Sequence, residues 1–203
     1  MPSVIALSGS PSTDSRTAHV ADYALRRLSL AGHRTEHLAV RELPAADLLV
    51  GRAGSTPLRD ALSAIAEADG VIVATPVYKA AYTGLLKAFL DLLPQSGLAG
   101  KAVLPLATGG SLAHLLTLDY ALRPVLSALG ARHITAGTFV LDGAVERLPA
   151  GTGPGGPRAR IEPEAELRLI QAVDGFEQAL DQGGRLSDRA ARPGAAALRI
   201  AAG

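Results

Sequence analysis

The residues that can do chemistry in this chain are concentrated in three polar loops, and the first of them suits an anion. Residues 4–17 read VIALSGSPSTDSRT, so a short apolar run leads into a loop of Ser, Gly and Pro. Free backbone N–H groups and the positive end of a following helix favour a phosphate there. Hydroxyls and one guanidinium can add hydrogen bonds, from Ser8, Ser10, Ser15, Arg16 and Thr17. An ordinary Ser cap at a helix start explains the same residues equally well.

The first loop matches neither of two familiar nucleotide-binding patterns. It lacks the G-x-x-x-x-G-K-[ST] pattern of a P-loop. It also lacks G-x-G-x-x-G, so it carries no dinucleotide fingerprint. The sequence therefore favours a phosphate site of another kind.

Two further loops can hold a flat, partly polar ring. The second loop, residues 75–84, reads TPVYKAAYTG and offers a stiff turn, an aromatic wall and a charge. The third loop, residues 108–111, reads TGGS, and its glycines let backbone approach a ligand closely. The candidate ring-binding residues are Pro76, Val77, Tyr78, Lys79, Thr108, Gly109, Gly110 and Ser111. Taken singly, each of these two loops is more simply an ordinary connection between a strand and a helix.

Alternating apolar runs and amphipathic segments predict the elements that position these loops. Strands are predicted at 4–7, 34–40, 70–75, 101–107 and 133–141, and helices at 17–30, 57–68, 84–93, 112–129 and 164–182. This alternation indicates a flavodoxin-like, doubly wound five-stranded parallel sheet of order 2-1-3-4-5, with helices on both faces. Pro105 is expected at a bulge or near a strand end. Gly32 is expected to close the first helix.

The rest of the chain is expected to be irregular. Residues 43–55 are predicted as a loop, and residues 143–163 as poorly ordered. We assign residues 1–182 to one domain, with the last helix capped by Gly183 and Gly184, and residues 183–203 to a loose tail.

The predicted topology brings the three loops to one place. They follow the first, third and fourth strands, and ligands of such sheets bind outside the carboxyl ends of the strands. One FMN needs such a set, with its phosphate at the first loop and its ring at the other two.

Composition excludes several other classes of function. The net charge of +1 gives no electrostatic reason to expect a nucleic acid partner. With no cysteine, the chain has no disulfide, thiolate metal site or thiol nucleophile. Neither a signal peptide nor a membrane span is evident, and a cytoplasmic protein is expected. The five histidines show no ligand spacing together with carboxylates, so no metal site is predicted. The aspartates do not cluster after the first strand, which argues against a phosphoacceptor receiver domain.

Long segments of the chain resemble the NADPH-dependent FMN reductase family. They are LSGSPSTDSRT, LLVGR, ADGVIVATPVYKAAYTGLLKAFLDLLP and LAGKAVLPLATGGSLAHLLTLDYALRPVLSALGA. The resemblance spans roughly residues 3–140 and is strongest to reductases of two-component alkanesulfonate monooxygenase systems. It implies FMN and NADPH as substrates, hydride transfer to flavin N5, and delivery of reduced FMN to a monooxygenase in sulfur metabolism. It also implies a homodimer or homotetramer, and it requires no catalytic acid or base, because the chemistry belongs to the flavin.

Pro124 lies well inside the predicted helix 112–129. Proline has no N–H and collides with the carbonyl four residues earlier, so a kink or π-bulge is expected at Tyr120–Pro124. The sulfonate-system reductases have an inserted tyrosine there that forms a π-helix, and the resemblance assigns Tyr120 to assembly and flavin transfer. A structural proline kink with a buried tyrosine is the alternative.

Two other functions remain open at this point. One is an enzyme that keeps FMN bound and reduces quinones, azo dyes or metal oxyanions. The other is a non-enzymatic, flavodoxin-like FMN-binding electron carrier. The choice between NADPH and NADH is also open.

Overall fold

Short apolar segments form a central sheet in the computed structural model, which describes residues 1–148 and 159–191. The strands are β1 (Ser3–Ser8), β2 (Arg34–Ala39), β3 (Gly70–Pro76), β4 (Ala102–Gly109), β5 (His133–Ile134) and β6 (Thr138–Leu141). All neighbours in this sheet pair in parallel, in the order β2-β1-β3-β4-β5, and β6 also pairs with β4. The predicted flavodoxin-like order is therefore confirmed.

The fifth strand is divided, which corrects the prediction of one strand over 133–141. Pro105 pairs with Val73 in the middle of β4, but it has no N–H to offer the neighbour on its other side. Pairing there stops after Ile134 and resumes at Thr138. A Cβ on Gly137 would collide with the Pro105 carbonyl oxygen, so only glycine fits at this point of the interruption. The prediction that Pro105 lies at a bulge or near a strand end is therefore wrong: Pro105 lies inside β4, and the irregularity falls on the adjacent strand.

Helices cover both faces of the sheet. On one face α1 (Arg16–Leu30) and α6 (Pro163–Ala191) enclose a core that includes Ile72 and Phe176. On the other face α3 (Thr56–Glu67), α4 (Gly84–Leu90) and α5 (Arg123–Ala128) enclose a core that includes Val73 and Phe89. Because successive residues of a strand point to opposite faces, continuous apolar strands serve both cores.

Two predicted boundaries are wrong. The segment 43–55 contains the short helix α2 (Ala45–Val50), which ends at Gly51 with a φ of 66°. The last helix does not end at Gln182, since α6 runs through Gly183 and Gly184 to Ala191. Glycine weakens a helix by only about 1 kcal/mol, so a pair of glycines need not end it. Residues 192–203 of the predicted tail lie outside the described residues.

Part of the segment 143–163 is ordered as a hairpin, which corrects the expectation of disorder there. Strands β7 (Val145–Arg147) and β8 (Ala159–Ile161) pair antiparallel beside the main sheet. Residues 149–158 lie outside the described range. Gly32 has a φ of 94° after α1, as its predicted role at a helix end requires.

The predicted long helix 112–129 is interrupted. A 3₁₀ turn covers Leu112–His114, a π-helix covers Leu118–Leu122, and α5 follows with Pro124 in its first turn. The missing N–H of proline explains why regular α-helical bonding fails just before it. The predicted π-bulge is confirmed. Among the described residues, the helices include none that combines the length and the apolar character needed to cross a bilayer.

Candidate active site

The three polar loops are hydrogen-bonded to one another at the carboxyl edge of the sheet. Thr83 Oγ1 donates to the Gly9 carbonyl oxygen at 2.6 Å, which joins the first loop to the second. The Val77 N–H donates to the Thr108 carbonyl oxygen at 2.8 Å, which joins the second to the third. The hydroxyls of Thr17 and Thr108 are 2.6 Å apart and buried, which joins the third to the first. The three loops therefore lie together, as the topology predicts, and they are in direct contact.

The first loop ends in a helix start with an anion-binding character. Ser15 caps α1, and its hydroxyl accepts from the Ala18 N–H at 3.2 Å. The first turn of α1 contains no acidic residue, so nothing there opposes the positive end of the helix dipole. Ser10 is 3% exposed and accepts from the Ser12 N–H at 3.3 Å.

Ser8 lies at the end of β1 and belongs to a chain of three polar side chains. Its Oγ is 2.9 Å from His37 Nε2, while His37 Nδ1 is 2.6 Å from an Asp22 carboxylate oxygen. A carboxylate can only accept, so it accepts from Nδ1–H of His37. Ser8 is fully buried, so its hydrogen bond to His37 holds the start of the first loop against β2.

The single acid of the first loop is paired with two basic side chains. Asp14 accepts from His19 Nε2 at 3.1 Å and from Arg147 at 2.9 Å. Hydrogen bonds from His19 and then Arg147 hold the pKa of the Asp14 carboxyl below its usual value. The pairing weakens the repulsion that a free carboxylate would exert on an anion. Arg16 Nε donates to the Val145 carbonyl oxygen at 3.2 Å, so Arg16 also contacts the hairpin.

The second loop combines a buried start with an exposed turn. Pro76 and Val77 are buried, whereas Tyr78 is 51% exposed. Lys79 and Ala80 have φ values of 51° and 62°. Backbone hydrogen bonds of 2.9 and 3.1 Å join Tyr78 and Ala81 across the turn, the pattern of a type I′ turn.

The third loop places backbone rather than large side chains at the edge of the sheet. Gly109 packs closely, since a Cβ there would lie 3.0 Å from the Phe139 ring. Gly110 is exposed, and a Cβ on it would lie 4.0 Å from an Asp142 carboxylate oxygen. Ser111 is exposed and accepts from the Ala113 N–H at 3.2 Å. This loop leaves room for a ligand to lie against the chain.

Large apolar side chains are exposed on the segment that follows the third loop. Tyr120 is 78% exposed, which rules out the buried tyrosine of the alternative interpretation. Leu112, Leu115 and Leu116 are 62%, 48% and 58% exposed. Together with Tyr120 they form an exposed apolar face along the 3₁₀ turn and the π-helix. Such faces mark surfaces that contact another molecule.

A separate cleft of about 550 Å³ lies at the amino end of the sheet, away from the three loops. Its lining includes Lys101, whose ammonium donates to the Ala66 and Ala68 carbonyl oxygens at 2.8 and 2.6 Å. Burial lowers the pKa of Lys101 from its usual value. These bonds cap the carboxyl end of α3, so we interpret Lys101 as structural. Across the described ranges, no group of three or more His, Asp or Glu side chains is placed to hold a metal ion.

The family model for NADPH-dependent FMN reductases matches residues 2–146. The chain belongs to this family. The match, together with relatives that are FMN reductases, identifies the protein as an NAD(P)H:FMN oxidoreductase.

Individual relatives agree with this assignment. An FMN reductase (NADPH) of Escherichia coli strain K12 is 45% identical over 177 residues, 87% of this chain and 89% of that protein. The NADH-dependent FMN reductase SfnE of Pseudomonas putida is 33% identical and covers 83% of this chain and 92% of its own length. The crystal structure of the apo form of the NADH:FMN oxidoreductase EmoB matches with a TM-score of 0.78 and 45% identity. That match covers 88% of this chain and 90% of the other.

Sequence reasoning missed three contributors to the site. Arg147 lies in the hairpin, where the sequence carries no regular pattern, and only the fold brings it to Asp14. His37 is on β2 and reaches Ser8 because those strands are neighbours. Asp142 follows β6 and approaches Gly110, beyond the range of any local motif.

Proposed function

We propose that FMN binds across the three loops, accepts hydride from NADPH, and leaves as reduced FMN for a partner monooxygenase. The observation that carries this proposal is the direct hydrogen bonding of the three loops to one another. A phosphate at the first loop and a ring at the second and third can then belong to one molecule. One relative is an NADPH-dependent FMN reductase and another is NADH-dependent, so activity with both nucleotides has to be measured.

The first loop fits the phosphate of FMN. Ser10, Ser15, Arg16 and Thr17 lie at or beside the start of α1, where helix N–H groups lack acceptors within the helix. The ion pair of Asp14 with Arg147 offsets part of the negative charge that would oppose a phosphate. Ser8 and Thr17 already have side-chain partners, so we assign them the task of holding the loop in shape.

The second and third loops fit the ring. The segment Pro76–Lys79 supplies an aromatic wall and backbone amides, and Thr108–Ser111 supplies a floor of backbone without bulky side chains. Bound FMN supplies the redox chemistry, accepting hydride at its N5 atom. The chain orients the ring, leaves one face open to the nicotinamide, and contributes no acid or base to the transfer.

The exposed apolar face formed by Leu112, Leu115, Leu116 and Tyr120 supports self-association. We propose that it packs against a second copy of the chain in a homodimer or homotetramer, with Tyr120 close to the flavin. A π-helix is costly in isolation, and such bulges concentrate at functional sites.

The family resemblance further suggests that the acceptor of reduced FMN is a sulfonate-cleaving monooxygenase. The substrate of that reaction would belong to the partner. The exposed ring loop and the absence of any required acid or base are compatible with FMN that arrives and departs in each cycle.

Steady-state oxidation of NADPH and of NADH with added FMN tests the proposal, with flavin content measured on the purified protein. We expect turnover that depends on free FMN and a preparation nearly free of flavin. A protein that stays yellow and reduces quinones would instead support the bound-flavin reductase. No turnover with either nucleotide would support an electron carrier.

Deletion of Tyr120 tests the role of the π-helix. We expect a smaller assembly by light scattering and altered release of reduced flavin to an acceptor enzyme. Unchanged assembly and unchanged flavin release would contradict the role we assign to this residue.

A further inference from the structure

A buried hydroxyl from a distant segment of the chain donates a hydrogen bond to the exposed turn of the second loop. Thr117 is 5% exposed, and its Oγ1 donates to the Ala80 carbonyl oxygen at 3.2 Å. Thr117 directly precedes the π-helix Leu118–Leu122. The hydrogen bond therefore connects the turn to a segment 37 residues further along the chain.

This turn is conformationally strained without such support. Lys79 and Ala80 both have positive φ values, a region where a side chain's Cβ crowds the backbone. Turns of type I′ favour Asn and Gly at these two positions, and this chain has neither there. Non-glycine residues persist in this region only where the surroundings hold them, and they concentrate at functional sites.

We propose that Thr117 is a positioning residue for the flavin ring, acting through the turn that it holds. The two backbone bonds across the turn use the polar groups of Tyr78 and Ala81, so neither of them engages the Lys79 and Ala80 N–H groups. A turn held in one conformation keeps those N–H groups and the Tyr78 ring in fixed positions relative to one another. This inference rests on the proposed function, because it takes the second loop as the place where the ring binds.

The same hydrogen bond ties the ring site to the exposed apolar face. Thr117 lies between Leu116 and the π-helix that carries Tyr120, and both Leu116 and Tyr120 belong to that face. A change in packing at the face can therefore reach the turn through a single side chain.

A pair of substitutions separates the hydroxyl from the shape of the side chain. Thr117→Val removes the donor and keeps nearly the same volume, whereas Thr117→Ser keeps the donor and removes a methyl group. Losing one neutral hydrogen bond predicts a rise of about three- to tenfold in KM for FMN with Thr117→Val. We expect kcat to change less, and Thr117→Ser to stay near the parent value. Riboflavin should show the same rise as FMN, because the phosphate loop is untouched.

A second background tests whether the hydroxyl acts through strain. Ala80→Gly places glycine where a φ of 62° carries no penalty, so the strain at one of the two positions is removed and the turn depends less on Thr117. The effect of Thr117→Val on KM should then shrink. An equal effect in both backgrounds, or an equal loss with Thr117→Ser, would overturn the proposal and leave Thr117 as a packing residue.

Folding and the parent activity are measured alongside. Thr117→Ala removes the same hydroxyl and replaces Thr117→Val if the latter is recovered poorly. A variant indistinguishable from the parent in KM and in FMN Kd, the latter by quenching of flavin fluorescence, would also overturn the proposal. Failure of the parent protein to turn over FMN is a different result, and it would count against the proposed function itself.

Discussion

The first and second loops hold their polar groups in opposite ways. In the first loop Ser8, Ser10, Ser15 and Thr17 are all buried, and each side-chain oxygen has a partner within the protein. In the second loop Tyr78, Lys79 and Ala80 are exposed, and the backbone adopts a strained turn. The polar groups of the first loop are therefore fixed without a ligand, whereas the conformation of the second loop depends on a few hydrogen bonds.

This difference suits the proposed exchange of FMN in every cycle. A preorganised phosphate site binds without an ordering cost, because its groups are already fixed. If the second loop holds the ring as we propose, a lightly held site gives less affinity and lets the ring depart after reduction. The comparison makes a general prediction: changes to the first loop should affect both stability and phosphate recognition, while changes to the second should affect the ring alone.

The largest effect is expected from Gly9→Ala. A Cβ at this position would lie 2.5 Å from Leu86 Cβ, so the first loop must move away from α4. Overpacking of this kind costs about 1–3 kcal/mol of unfolding free energy. The displaced loop should also raise KM for FMN by about tenfold or more, because small misplacements of binding groups are costly. Thermal or urea unfolding and steady-state kinetics provide the measurements.

Gly54→Ala is the matched control for this substitution. Gly54 also lies in a loop, but an added Cβ there meets nothing within 4 Å. Its stability and KM should stay close to those of the parent. A Gly9→Ala protein that behaves like the Gly54→Ala protein would show that the first loop is not rigid, and the contrast between the loops would fail.

A smaller effect is expected from Ser15→Ala. The substitution removes the cap of α1, which costs about 1 kcal/mol, and it removes a hydroxyl from the proposed phosphate site. KM should rise for FMN and change little for riboflavin, which lacks the phosphate. Tyr78→Ala should raise the KM for FMN and for riboflavin together, since Tyr78 lies in the loop that we propose holds the ring.

Ser55→Ala provides the control for the cap itself. Ser55 precedes α3 at the equivalent position, but its hydroxyl makes no capping bond to that helix. Its loss should leave stability nearly unchanged. A Ser15→Ala protein whose KM rises equally for FMN and riboflavin would place the phosphate elsewhere.

Local patterns were sufficient to predict the strand order of the sheet and the position of the loops, but not the division of the fifth strand. The apolar run of β3 and the turn residues that follow it determine where the second loop begins, and parallel topology does the rest. Pro124 was equally informative, because a missing N–H inside a helix has a definite consequence one turn earlier. These are features in which neighbouring residues determine the outcome.

Contacts between distant segments could not be predicted in this way. Nothing in the sequence places Arg147 beside Asp14, or Thr117 beside Ala80, because each pair meets only after the chain has folded. The continuation of α6 through Gly183 and Gly184 also departs from a local rule. The strained turn at Lys79 and Ala80 could not be predicted either, since neither residue is one that such turns prefer.

The smallest effect is expected from Asp14→Asn, and it has a defined pH dependence. Hydrogen bonds from His19 and Arg147 lower the pKa of Asp14 in the folded protein, so the folded state binds fewer protons there than the unfolded state does. The stabilisation is therefore present above the usual aspartate pKa of 3.8 and is lost as the pH falls through the lower folded value. The difference in melting temperature between the parent and Asp14→Asn should be small at pH 7 and should shrink below pH ~4. Asp60→Asn, on an exposed residue of α3, is the control for removing one surface charge. A difference that grows as the pH falls would contradict the pairing of Asp14, and with it the account of how the first loop accepts a phosphate.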